Sequence, residues 1–290
     1  MFYIPIIGSI LEGAGTIIDK KIIIKHKVDY KNYTVYGFLA LVLVMLPLIF
    51  FFWEIKPEAY SIKNILIFML VVLFSILANL LVFYSLKRKD VTELEPIRLM
   101  QPLFTVLLAF ILSFFFITYS TERKYSILIL ALIASISLIA SHVRKHHLVL
   151  NKYIIAALLG SFFFAVELVI SKAILPYYSS LTFYLLRCLL IFFITAFIFH
   201  PSISSIKNKT KLLMLLSGAV WVAYRWILYY GYLTLGIVFT TILFILGPVF
   251  IFIFAKIFLK EKIRQPRPPP KHWLKPMTFK AELFQPKDFS

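Results

Sequence analysis

Residues 64–84 read NILIFMLVVLFSILANLLVFY, from Asn64 to Tyr84, without one Asp, Glu, Lys or Arg. A hydrocarbon core about 30 Å thick is crossed by about 20 apolar residues in an α-helix, and this stretch has that length. It shows no strict apolar/polar alternation and is twice as long as a tilted membrane strand of about 10 residues needs to be, which argues against a β-barrel. Working outward, eight further runs bounded by charge have a similar character: Phe2–Ile18, Thr34–Trp53, Leu99–Tyr119, Ser126–Ser141, Tyr153–Leu175, Leu181–His200, Leu212–Leu233 and Leu235–Phe258. The first and fifth are short. The reading is an all-α polytopic membrane protein with nine crossings.

Composition agrees. The chain is 61% apolar and 15% charged with a mean hydropathy of +0.90, against about 45–50% apolar and about 25% charged in ordinary soluble domains. The formal charge of +18 sits in short loops and one tail rather than on one folded surface. It therefore points to anionic lipid headgroups and not to nucleic acid. Lys and Arg are concentrated in the loops after odd-numbered runs, whereas the opposite loops hold only Lys56, Lys63, Arg123 and Lys124. By the positive-inside rule the lysine-rich side is cytoplasmic and the N-terminus lies outside. The first run lacks a basic n-region and carries Glu12, so it does not read as a cleavable signal. The expected setting is the plasma membrane, with the chain a monomer or homodimer whose partners are the bilayer and a small-molecule substrate.

The chain repeats itself. Gly8-Ser9 followed by Lys20 recurs as Gly160-Ser161 followed by Lys172, and Tyr84 with Pro102 recurs as Tyr230 with Pro248. The same register sets Asn79 opposite Arg225. An odd number of crossings per half inverts the second half relative to the first, which gives an inverted-topology repeat. The first five-helix repeat spans residues 1–150 and the second 151–263. After Lys260-Glu261-Lys262 the second half should supply a tenth helix, but 264–290 begins Arg264-Gln265-Pro266-Arg267-Pro268-Pro269-Pro270, which cannot continue as helix. Nine helices are expected, the tenth missing, with a Pro-rich basic tail of disordered character that a truncation or frameshift would explain.

Ten crossings in two inverted halves, lysine ending the first crossing of each half and proline inside the fourth, resemble the EamA-type transporters of the drug/metabolite transporter superfamily over about residues 3–263. Gly8, Ile10, Leu11, Glu12, Gly15, Thr16 and Lys20 are also similar to the first helix of the small multidrug resistance transporters. The resemblance implies that Glu12 binds protons and cationic substrate in competition. In the second half Phe164 stands at the matching position and Glu167 follows about one turn later, so a second equivalent carboxylate is not implied.

Charges inside a bilayer cost about 2.5–3.5 kcal/mol each on insertion scales, so Glu12, Glu167, Arg187 and Arg225 are candidate substrate- or proton-binding residues, with Asn79 and Tyr224 as polar companions. Lys256 is a weaker member of the set. Glu12 is flanked by Gly13 and Gly15, small residues that admit a close neighbour; it reads as a proton carrier or, alternatively, as an ion-pair partner of Arg187 or Arg225. Glu167 could equally pair with Arg187. Trp221, Arg225 and Tyr229 share one helical face, which suits either an anionic or aromatic ligand or plain packing. Pro102 and Pro248 are candidate hinges. Glu95-Pro96 reads as the cap that starts the fourth helix.

Cys188 reads as an apolar filler. His142, His146 and His147 lie in a basic loop and read as solvated rather than metal-binding, and the sequons at Asn32 and Asn208 abut spans and read as chance. No HExxH, Walker A or GxSxG pattern occurs, so no enzyme, cofactor or metal is expected. The expected function is proton-coupled secondary transport by alternating access, around a cavity lined by spans 1, 3, 4, 6, 8 and 9. An exchanger of anionic metabolites such as nucleotide sugars or sugar phosphates, using Arg187 and Arg225, is the alternative. A non-transporting or disabled membrane protein is the alternative of another class.

Overall fold

A computed structural model describes residues 3–123, 125–126, 128–130, 132–133, 136–137, 151–201 and 207–260. Among these the architecture is all-helical, and Ile55 and Tyr178 form one isolated antiparallel bridge. The chain runs α1 (Tyr3–Lys25), α2 (Tyr30–Phe52), α3 (Ile62–Leu86), α4 (Val91–Arg98), α5 (Met100–Phe115), α6 (Lys152–Ile174), α7 (Ser180–Phe199), α8 (Asn208–Thr234), α9 (Ile237–Phe244) and α10 (Gly247–Phe254). Polar residues at the loop boundaries fix where the apolar runs begin. The Asp29 carboxylate accepts from the Lys31 amide, Ser61 Oγ from Asn64, Asn151 Oδ1 from Tyr153 and Ile154, and Ser179 Oγ from Thr182, each satisfying an otherwise orphaned donor.

The protein is an all-α polytopic membrane protein. Seven helical stretches are long and apolar enough to cross a bilayer: Tyr30–Phe52, Ile62–Leu86, Val91–Phe115, Lys152–Tyr177, Ser180–Phe199, Asn208–Thr234 and Ile237–Leu259. α1 has the length but carries Glu12, Asp19, Lys20 and Lys21, and half of the fifth run, 126–141, lies outside the described residues. So does the tail, 261–290. Large apolar side chains such as Phe50, Phe115, Ile117 and Phe197 are exposed on the outside, as a lipid-facing surface requires.

Near the site, two boundaries differ from the sequence reading, and two crossings are interrupted. The first helix does not stop at Ile18 but continues to Lys25, because Asp19 and Lys20 are buried against neighbouring helices instead of entering water. The fourth crossing begins at Val91, not Leu99, so Glu95 is no cap: it lies inside α4, buried, and Asp90 occupies the cap position. The fourth and ninth crossings are both broken. α4 and α5 meet at Leu99, and α9 and α10 at Ile245–Leu246. Pro102 and Pro248 lie three residues after the start of each break, where a missing N–H and the ring clash disturb the preceding turn. The interruptions therefore precede the prolines at matching register.

The halves interlock reciprocally. α1 packs on α8 and α10, while α6 packs on α3 and α5, and α2 packs on α7. Close approach needs small residues: a Cβ on Gly218 would stand 3.1 Å from the Ala40 backbone of α2. The paired lysines play matching parts. Lys20 Nζ donates to the carbonyls of Leu86 (2.7 Å) and Lys89 at the α3–α4 loop. Lys172 pairs with Glu122, whose carboxylate accepts from the Ile237 (2.8 Å) and Val238 (2.9 Å) amides at the start of α9. Gly236, at φ 89°, lies against that carboxylate, a conformation that side chains rarely adopt.

Candidate functional site

Helices of both halves surround a cavity of about 90 Å³, room for several water molecules. Its lining includes Glu12, Thr16 and Asp19 of α1, Tyr33 of α2, Asn79 of α3, Arg98 of α4, Gln101 of α5, Phe164 of α6, Arg187 of α7, and Trp221, Tyr224 and Arg225 of α8. Spans 2 and 7 thus join the wall, contrary to expectation. The ninth crossing instead lines an adjoining smaller pocket of about 40 Å³ with Pro102, Pro248 and Glu95, which Glu12, Arg98 and Tyr224 share with the main cavity.

Glu167, Arg187 and Arg225 form one buried cluster. Arg187 Nη1 donates to Glu167 Oε1 and, at 2.6 Å, to Tyr229 OH; Arg225 Nη1 reaches Glu167 Oε2 at 3.3 Å. Tyr229 OH donates back to Glu167 Oε1 at 3.2 Å. Arg187 stacks on Tyr184 with 4.8 Å to the ring centroid, and Arg225 lies 5.8 Å from the Phe164 ring. Two guanidiniums and one tyrosine hydroxyl thus converge on a single buried carboxylate. On the shared helical face, Arg225 and Tyr229 therefore pack around Glu167, while Trp221 turns to Asp19.

Glu12 is different. It is half-buried, and among the described residues it makes no hydrogen bond or ion pair, so neither Arg187 nor Arg225 is its direct partner. Its carboxylate lies against the backbone of Gly247, where a Cβ would collide with Oε2. That is the point where the ninth crossing breaks. Discontinuous helices of this kind present backbone groups to a cavity.

Asp19, Arg98 and Glu95 also belong to the two pockets, although the sequence placed each outside the spans or at a cap. Asp19 Oδ1 accepts from Tyr33 OH and Ser217 Oγ, both at 2.5 Å, and Oδ2 from Trp221 Nε1 at 3.0 Å. Arg98 reaches Glu95 and Thr16 Oγ1, each at 3.4 Å. For Asp19 the signal that could have found it is periodicity: Glu12, Thr16 and Asp19 are spaced i, i+4, i+7. Asn79 donates to the Ser75 carbonyl (2.8 Å) and lines the cavity. Tyr224 is buried edge-on between Trp221 and Phe244, with centroids at 5.3 and 5.6 Å. Lys256 is exposed and apart from this group. Cys188 is buried and free.

Among the described residues no cluster of His, Cys, Asp and Glu could hold a metal ion; His142, His146 and His147 lie outside them. The two ends of the cavity differ. Beyond the Glu167 cluster, the loops between α2 and α3 and between α6 and α7 are laced across the halves: Lys56 N–H donates to the Tyr177 carbonyl (2.8 Å), Ser179 N–H to Glu54 (3.1 Å), and Thr182 Oγ1 to Phe52 (3.1 Å). Towards the other end the lining runs along Asp19, Tyr33, Leu86 and Met214, close to the lysine-rich loops.

The chain matches the model of a protein family described as EamA-like transporter family, twice, over residues 1–141 and 151–266. No curated protein matches it significantly.

Proposed function

This chain belongs to the EamA-like transporter family, and on that premise we propose that it is a proton-coupled secondary transporter of the plasma membrane, moving a small metabolite or drug-like molecule by alternating access. The observation that carries the coupling is the contrast between the two carboxylates first singled out. Glu167 is bound by two arginines and a tyrosine. Glu12 faces the cavity with no such partner, and so is the one that can trade a proton for a substrate or counter-charge. Reciprocal packing of α1 on α8 and α10 and of α6 on α3 and α5 supports an inverted repeat in which the halves rock about this point. The laced loops at one end and the cavity running toward the other fit a state closed on one side.

The anion-exchange reading loses support, because Arg187 and Arg225 already share Glu167 as their counter-ion. A thermal-shift screen of the purified chain against amino acids, sugars, nucleotides and lipophilic cations identifies a ligand. Liposome flux of that ligand under a pH gradient then tests coupling: Glu12→Gln is expected to abolish gradient-driven flux, and full flux in that variant overturns the proposal.

A further inference from the structure

We propose that Asp19 is a second protonation site of the cavity, passing protons between Glu12 and the water at the lysine-rich end of the bundle. This deepens the coupling role given to Glu12 and rests on it. Glu12, Thr16 and Asp19 line the same cavity from one face of α1, and seven residues of helix put the two carboxyls about 10 Å apart along the axis. The cavity they line has room for several waters, so the path is Asp19, water, Glu12, with the Thr16 hydroxyl beside it. The proton leaves an Asp19 carboxyl oxygen for a water, and that water gives a proton to a Glu12 oxygen; Asp19 then recovers one from the aqueous end.

The surroundings of Asp19 suit that exchange. Three neutral donors, Tyr33 OH, Ser217 Oγ and Trp221 Nε1, surround its carboxylate. They solvate the charge without cancelling it, whereas Glu167 is held by two cations. Among the described residues Asp19 forms no ion pair. Chains of intramembrane carboxyls separated by water are how proton pathways are commonly built.

Other groups also face these two carboxyls. Around Asp19 they are Tyr33 from α2, Ser217 and Trp221 from α8 and Arg98 from α4, with Lys20 on its own helix turned to the Leu86 and Lys89 carbonyls. Around Glu12 they are Arg98 and Glu95 from α4 and Arg225 and Tyr224 from α8. Arg98 alone faces both. It donates to Glu95 and to Thr16 at 3.4 Å each.

The test needs no substrate. Infrared difference spectra of the full-length chain in nanodiscs follow the carboxyl C=O bands after a pH jump, with Glu12→Gln and Asp19→Asn assigning the bands. Both residues are expected to take up a proton. Protonation of Glu12 is expected to slow by roughly a hundredfold in Asp19→Asn, the scale of losing a positioned proton-transfer group, and to recover in Asp19→Glu. An unchanged Glu12 rate in Asp19→Asn, or an Asp19 that never protonates, overturns the relay. So does an Asp19→Glu as slow as Asp19→Asn with both variants folded, because that result marks a packing role. A Glu12 with no titrating band instead overturns the coupling reading beneath it, and the separate Asp19 band tells the two failures apart.

Discussion

The Glu12 carboxylate of α1 lies against the Gly247 backbone, at the break between α9 and α10. Any side chain at 247 must displace it. Gly247→Ala is expected to cost about 1–3 kcal/mol of stability through overpacking and to suppress Glu12-dependent flux. In the double variant Glu12→Ala/Gly247→Ala the stability loss should shrink, because the added methyl meets no carboxylate. Thermal unfolding of the four proteins in the cycle checks this, and strict additivity would place the clash elsewhere.

Glu167 is shared by two buried guanidiniums. Glu167→Gln keeps the shape but strands both charges, and removing one partner of a buried pair costs about 3–5 kcal/mol. The melting temperature should fall sharply, whereas Lys256→Gln, on an exposed side chain, should leave it unchanged. A Glu167→Gln protein as stable as the wild type would show that Arg187 and Arg225 find other counter-charges.

Much of this was legible in the chain. Residues 64–84 announced their crossing by length alone, and the spacing of Pro102 and Pro248 located both helix breaks to within one turn. The pairing of Glu167 with Arg187 was one of two readings of the same letters, and only the rotation of α6 against α7 decides it. Asp19, Glu95 and Arg98 were misplaced for one physical reason: a hydropathy window ends a span where charges cluster, as at Asp19-Lys20-Lys21 and from Lys87 to Arg98. It cannot see that a charge such as Asp19 is satisfied by Tyr33, Ser217 and Trp221, residues 14 to 202 positions away.

Asp29 lies outside the spans, at the start of α2. Burial raises its pKa, but Lys87 Nζ at 2.5 Å and the amides of Lys31 and Tyr30 outweigh that and hold it below the usual 3.8. A carboxylate with a lowered folded pKa stabilises the protein above its unfolded pKa, and that contribution is lost as pH falls through the folded one. The Asp29→Asn variant should therefore melt lower than wild type at neutral pH and converge with it below pH 3.8. Parallel melting curves as a function of pH would remove Asp29 from the account.

The bridge between Ile55 and Tyr178 joins the loop after α2 to the loop after α6, and so ties one half to the other at a single end of the bundle. Directly opposed residues of an antiparallel pair hold their Cα atoms about 4.5–5.5 Å apart, within disulfide range. Ile55→Cys/Tyr178→Cys, made in a Cys188→Ala background, should therefore cross-link on mild oxidation. If transport requires this end to part, the oxidised protein should bind its ligand with unchanged affinity yet carry out no flux, and reduction should restore the rate. A structural role alone predicts the opposite: cross-linking would then raise the melting temperature while flux continued. Oxidised and reduced flux from the same liposomes separate the two outcomes, because only opening at this end makes turnover, and not binding, sensitive to the bond.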